Sequence, residues 1–157
     1  MIAVPATTVS TLALPTDFGA TLLQGIGAIL LYAVIGVLLM LVGFYAIDFT
    51  TPGKLSQLVQ AGRPNAVIVT AAGMVSMALI VVVAISNAGF DLLAGVLTAL
   101  AFGFVGIVVQ VLAVRLLEWA ARINVGETIT AEKFAPASLV VAAAHVALGM
   151  VVAFAIY

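Results

Sequence analysis

"FGATLLQGIGAILLYAVIGVLLMLVGFYAI", residues 18 to 47, runs from Asp17 to Asp48 without a single charge. About 20 apolar residues are enough to carry a helix across roughly 30 Å of hydrocarbon, so this stretch is long enough to cross a bilayer. No water is available there to bond the backbone, so the crossing segment has to be a helix that satisfies its own amides. The same signature recurs from Arg63 to Asp91, from Asp91 to Arg115, and from Phe134 to the end. The chain therefore reads as an all-α membrane protein with four transmembrane helices. They are expected at about Thr21–Ile47, Asn65–Gly89, Leu92–Leu117 and Ala135–Tyr157.

Composition agrees with that reading. Of 157 residues, 66% are hydrophobic and only 7% charged, against roughly 25% charged in soluble domains. Mean hydropathy is +1.39. With no cysteine, disulfides, thiol redox chemistry and cysteine-ligated metals are excluded. No metal or other cofactor is expected, and no enzymatic activity, since no nucleophile–base pair, phosphate loop or carboxylate pair lies at membrane depth. A net charge of −1 and the lack of a basic cluster argue against a nucleic-acid partner. Residues 1–20, "MIAVPATTVSTLALPTDFGA", lack a positive segment ahead of an apolar core and read as an exposed leader rather than a cleaved signal peptide.

The charges also set an orientation. Lys54 and Arg63 lie in the first long connection; Arg115, Arg122 and Lys133 lie at or within the second. The leader, the "NAGFD" turn (87 to 91) and the C-terminal tail hold no Lys or Arg. The positive-inside rule then predicts that both long connections are cytoplasmic and that the N- and C-termini are outside. In the first connection, Thr51-Pro52 signals a helix start, and Leu55, Leu58 and Val59 recur at helical spacing, predicting a short amphipathic helix at the membrane face. Gly62 ends it, and Asn65 is expected to cap the second membrane helix. The second connection, "RINVGETITAEKFAP" (122 to 136), is less regular, and Thr130 is a candidate cap for a turn through Glu132 and Lys133.

An internal repeat divides the chain into two-helix units, 21–90 and 91–157. "YAVIGVLLMLVGFYAIDF" (32 to 49) lies over "FGFVGIVVQVLAVRLLEW" (102 to 119) at an offset of 70, matching Gly36 with Gly106, Asp48 with Glu118 and Phe49 with Trp119. After a one-residue insertion, "AVIVTAAGMV" (66 to 75) lies over "ASLVVAAAHV" (137 to 146). Two helices per unit give both copies one orientation, as in parallel membrane repeats.

The helix end "GFYAIDFTTPGKL" (43 to 55) and the following "GRPNAVIVTAAGMVSMALIV" (62 to 81) resemble the YjfL-like bacterial inner-membrane proteins, a domain of unknown function. Members of that family carry one or two copies of the two-helix unit, and two would fill this chain. The second copy departs from the pattern, with Glu118-Trp119 for the Asp-Phe pair, no Thr-Pro-Gly, and Pro136 in place of the Asn. The resemblance implies a plasma-membrane location and no particular activity.

Within the spans, His145 and Gln110 stand out. His145 lies about 15 Å into the fourth helix and Gln110 about 10 Å inside the end of the third, so the two are close in depth. Gln110 is the expected partner of His145, as a hydrogen bond across helices, and a proton relay or ligand site is the competing reading. At the cytoplasmic boundary, Arg115, Glu118 and Arg122 share a helical face. Arg115 is expected to reach Asp48 between repeats and Glu118 to pair with Arg122; the alternative is that all four reach separately to the headgroups. Gly36, Gly43, Gly149 and Ala153 read as close-packing positions, and Tyr45, Phe49, Trp119 and Tyr157 as interfacial anchors.

Two functions fit these features. The first is a structural or partner-binding component of a plasma-membrane assembly, with the lipid bilayer and a membrane or cytoplasmic protein as partners. The second is an oligomeric channel or transporter in which copies of the chain surround a path containing His145 and Gln110. The scattered polar residues favour the first.

Overall fold

The computed structural model describes residues 17–50, 53–88, 91–122 and 124–157, all of them in helices and their connections. In order these are α1 (Phe18–Thr50), α2 (Leu55–Gln60), α3 (Pro64–Ser86), α4 (Leu92–Ala121), α5 (Val125–Thr130) and α6 (Ala137–Ile156). The helices α1, α3, α4 and α6 are each long and apolar enough to cross a membrane. They coincide with the four charge-poor stretches, although α1 and α4 run three or four residues further at their charged ends than expected. Residues 1–16 of the expected leader and the Thr51-Pro52 helix start lie outside the described residues; Asp17 is described, and Phe18 to Ala20 already belong to α1.

Local chemistry fixes the helix ends. Asp91 caps α4 by accepting a bond from the Ala94 N–H at 3.0 Å, and Asn124 caps α5 through the Glu127 N–H at 3.1 Å. Gly62 turns the chain from α2 into α3 with φ +68°, a left-handed conformation that glycine adopts without penalty. Arg122 closes α4 with φ 54°. Thr130 is not a cap but the last residue of α5, its hydroxyl donating to the Gly126 carbonyl at 2.8 Å.

In the bundle, α3 is central, packed by α1, α4 and α6, with its largest contact made to α6. Met77, Ile80 and Ala84 of α3 and Ile107 of α4 form the sealed interior. Close approach is made at glycines. A methyl placed on Gly103 would lie 2.6 Å from Leu39, one on Gly43 2.9 Å from the Met77 sulfur, and one on Gly149 would strike Ser76. The two hairpins repeat one contact. A methyl on Gly36 would lie 3.6 and 3.7 Å from Ile85 and Val81, while one on Gly106 would lie 2.9 and 3.7 Å from Ile156 and Val152 and would also strike Ile80. These sets lie 70 residues apart on α1 and α4 and 71 apart on α3 and α6.

All of Lys54, Arg63, Arg115, Arg122 and Lys133 gather where α1 and α4 end and α3 and α6 begin, which we call the basic end. At the opposite end Tyr32 of α1 rests on Gly95, in the first turns of α4. Ala28 and Ile29 still border the groove between α1 and α3, and the preceding turns of α1, from Phe18 to Gly27, extend past the outer end of the bundle.

Candidate functional site

His145 and Gln110 meet in the interior, 4% and 1% exposed. The bond between them is not the one expected. Gln110 Nε2 donates to the backbone carbonyl of His145 at 3.0 Å, leaving the imidazole to other neighbours. The ring sits over Gly73 of α3, where a methyl would touch His145 Nδ1 at an ordinary 3.6 Å and press on Ile47 at 3.0 Å. His145 Nδ1 and Gln110 Oε1 are both buried without a protein partner.

Beside them is a cavity of about 20 Å³, measured as space open to the centre of a water molecule. Its lining runs from Gln110 and His145 to Thr50, Arg115 and Glu118. A second cavity of the same size, between α4, α5 and α6, shares His145 and Glu118 with the first. Among the described residues no cluster of three or more His, Asp or Glu forms a metal-binding group.

The boundary charges pair differently from the sequence expectation. Arg115 Nη1 meets Glu118 Oε2 at 2.8 Å, one turn along the same helix. Asp48 instead accepts a hydrogen bond from the Ser56 N–H at 3.1 Å. The chain folds back after α1 and brings the free N–H groups at the start of α2 to this carboxylate, which occupies it there. Glu118 does not pair with Arg122, because Arg122 has left the helix and no longer shares its face. Arg63 and Glu132 approach to 3.1 Å at the surface, an exposed contact of small energetic weight.

Asn65 is the largest correction. The α3 N-cap is Arg63, with Pro64 in the first turn, and Asn65 lies inside the helix. Fully buried, its amide donates to the carbonyls of Ala131 and Lys133 at 3.2 and 2.8 Å and accepts from the Ala135 N–H at 2.8 Å. It holds the α5–α6 connection rather than its own helix. Asn87, at the other end of α3, donates to the Ile156 carbonyl at 3.1 Å. These four bonds join residues 66 to 70 apart, and a local motif rule cannot see them.

Four helices long and apolar enough to span a bilayer, packed around a few buried polar side chains, define a multi-pass membrane protein. A family model described as Domain of Unknown Function (DUF350) matches residues 21–156, and the chain belongs to that family. A UPF0719 transmembrane protein of Mycolicibacterium paratuberculosis is 34% identical over 135 residues, covering 85% of this chain and 89% of the relative. UPF0719 transmembrane proteins of Mycobacterium bovis and Mycobacterium tuberculosis are each 32% identical over 145 residues, covering 89% of this chain and 95% of theirs. The YjfL-like resemblance is consistent with this membership. No solved structure matches the chain.

Proposed function

We propose that this protein is a non-enzymatic structural subunit of a plasma-membrane assembly that docks onto a neighbouring transmembrane helix through the outer half of α1. The observation that carries the reading is the state of Phe18–Leu31. Ala28 is half-buried and every other residue of this stretch is exposed among the described residues, with Leu23, Ile29 and Leu30 at 71%, 69% and 63%. Leaving such side chains in water costs roughly 1.5–3 kcal/mol each, so a non-aqueous neighbour has to cover them. Gly25 and Gly27 have open space around them, which lets another backbone come close. The clustering of Lys and Arg supports an orientation with the basic end in the cytoplasm and both termini outside.

The channel reading asks His145 and Gln110 to line a path between copies. Their burial among α3, α4 and α6 of one chain favours the subunit reading instead.

The chain lacks cysteine, so single variants such as Leu22→Cys, Ile26→Cys and Leu30→Cys carry a photo-crosslinking maleimide cleanly in native membranes. Protein adducts should form with helical periodicity along α1, and their mass tells a second copy from a different protein. A control label at Phe154→Cys, on the exposed surface of α6, should give few. If α1 labels attach only to lipid, as at the control site, docking through α1 is wrong.

A further inference from the structure

We propose that the cavity beside His145 is a hydrated proton-binding site filled from the basic end of the bundle, with Glu118 as its entrance. This is independent of docking through α1, because the cavity faces α4 and α6 rather than the outer half of α1.

Three observations converge on it. The first is the pair of orphaned atoms. Gln110 Nε2 is committed to the His145 carbonyl, which fixes Gln110 Oε1 as an acceptor. His145 Nδ1 is likewise buried and unpartnered. Both residues are more than nine-tenths buried, and polar atoms in such places almost always have partners. The second is room. About 20 Å³ exceeds the roughly 10–15 Å³ that one water needs. A water there has two O–H groups to donate, one to Gln110 Oε1 and one to Nδ1 of a neutral imidazole. The third is access. Glu118 borders both cavities that reach His145, and its side chain is 18% exposed.

Chemically the step is a proton transfer and nothing else. The Glu118 carboxylate takes a proton from the aqueous phase at the basic end. It passes that proton to the cavity water as the water releases one of its own to His145 Nδ1. An O–H bond breaks, an N–H bond forms, and one positive charge arrives on the ring with no oxidant, metal or leaving group required. The titratable and charged groups lining the two cavities are Arg115 and Glu118 of α4, with His145 itself. The lining residues of α1, α3 and α5 include none. The repeat gives a comparison within the molecule. Met40 and Met74 stand where Gln110 and His145 stand in the second unit, and they line the open groove between α1 and α3.

His145 is the only histidine in the chain, so ¹⁵N-histidine labelling of the full protein in phospholipid nanodiscs, without a histidine tag, yields one imidazole. Its ring signals should change with pH while the amide spectrum stays native, as a ring that takes up a proton requires. They should also receive magnetisation directly from water. Glu118→Gln removes the negative charge that favours the protonated ring, so the midpoint should move to lower pH. Gln110→Leu should weaken transfer from water. Should Glu118→Gln fail to fold, Glu118→Asp keeps the charge and should preserve the titration. Signals that do not change with pH while the amide spectrum stays native would overturn the proposal. So would a titration unchanged by Glu118→Gln, or an imidazole that receives nothing from water.

Discussion

Asn65 is the side chain on which most of the basic end depends. Its three bonds fix the stretch from Ala131 to Ala135, ahead of α6. Removing the amide strands those backbone groups, at a cost of about 2–4 kcal/mol in all. Asn65→Ala should therefore lower the unfolding midpoint in detergent well beyond what Asn124→Ala does, since Asn124 caps only the short α5. Equal loss in the two variants would show that the cross-connection bonds carry little weight. Sequence reasoning placed Asn65 beside a helix start and assigned it the local task, because capping rules work within four residues and its partners lie 66 to 70 residues away. His145 and Gln110 were legible as neighbours, since depth follows from counting 1.5 Å per residue. Which atoms would meet was not, because that depends on helix rotation, set here by close contacts such as Gly149 against Ser76.

At the scale of helices, the glycines divide into two kinds that the sequence does not distinguish. A methyl on Gly36 meets its neighbours at ordinary contact distance, 3.6 Å or more. Gly36→Ala should be neutral or stabilise α1 by up to about 1 kcal/mol through reduced backbone entropy. A methyl on Gly149 strikes Ser76, including its backbone Cα at 2.9 Å, which no rotamer change can relieve. Gly149→Ala should cost about 1–3 kcal/mol and separate α6 from α3. Melting temperatures of the two variants in the same detergent check the contrast, and a smaller loss for Gly149→Ala than for Gly36→Ala would refute it. The positions of all four long helices were readable because lipid demands a charge-free run. The lengthening of α1 to 33 residues was less so: the helix continues through Asp48 and Phe49 to Thr50, where the headgroup region tolerates charge and the hydrogen bonds of the coil simply go on.

For the whole molecule, the uneven distribution of Lys and Arg makes a further prediction. A periplasm-dependent alkaline phosphatase fused after Tyr157 should be active, and one fused after Lys133 inactive. The reverse pattern would invert the proposed orientation. The two-unit division drawn from the sequence meets a bundle in which the hairpin contacts at Gly36 and Gly106 correspond, yet surroundings differ: His145 is enclosed while Met74 is 43% exposed. Composition could not foretell that difference, because enclosure depends on which neighbour crosses over each hairpin.

The two asparagines at opposite ends of α3 have a mechanical consequence. Parallel rods fastened at both tips cannot slide lengthwise past each other, so α3 and α6 behave as a single keel. The Gln110 bond to the His145 carbonyl couples α4 to that same keel.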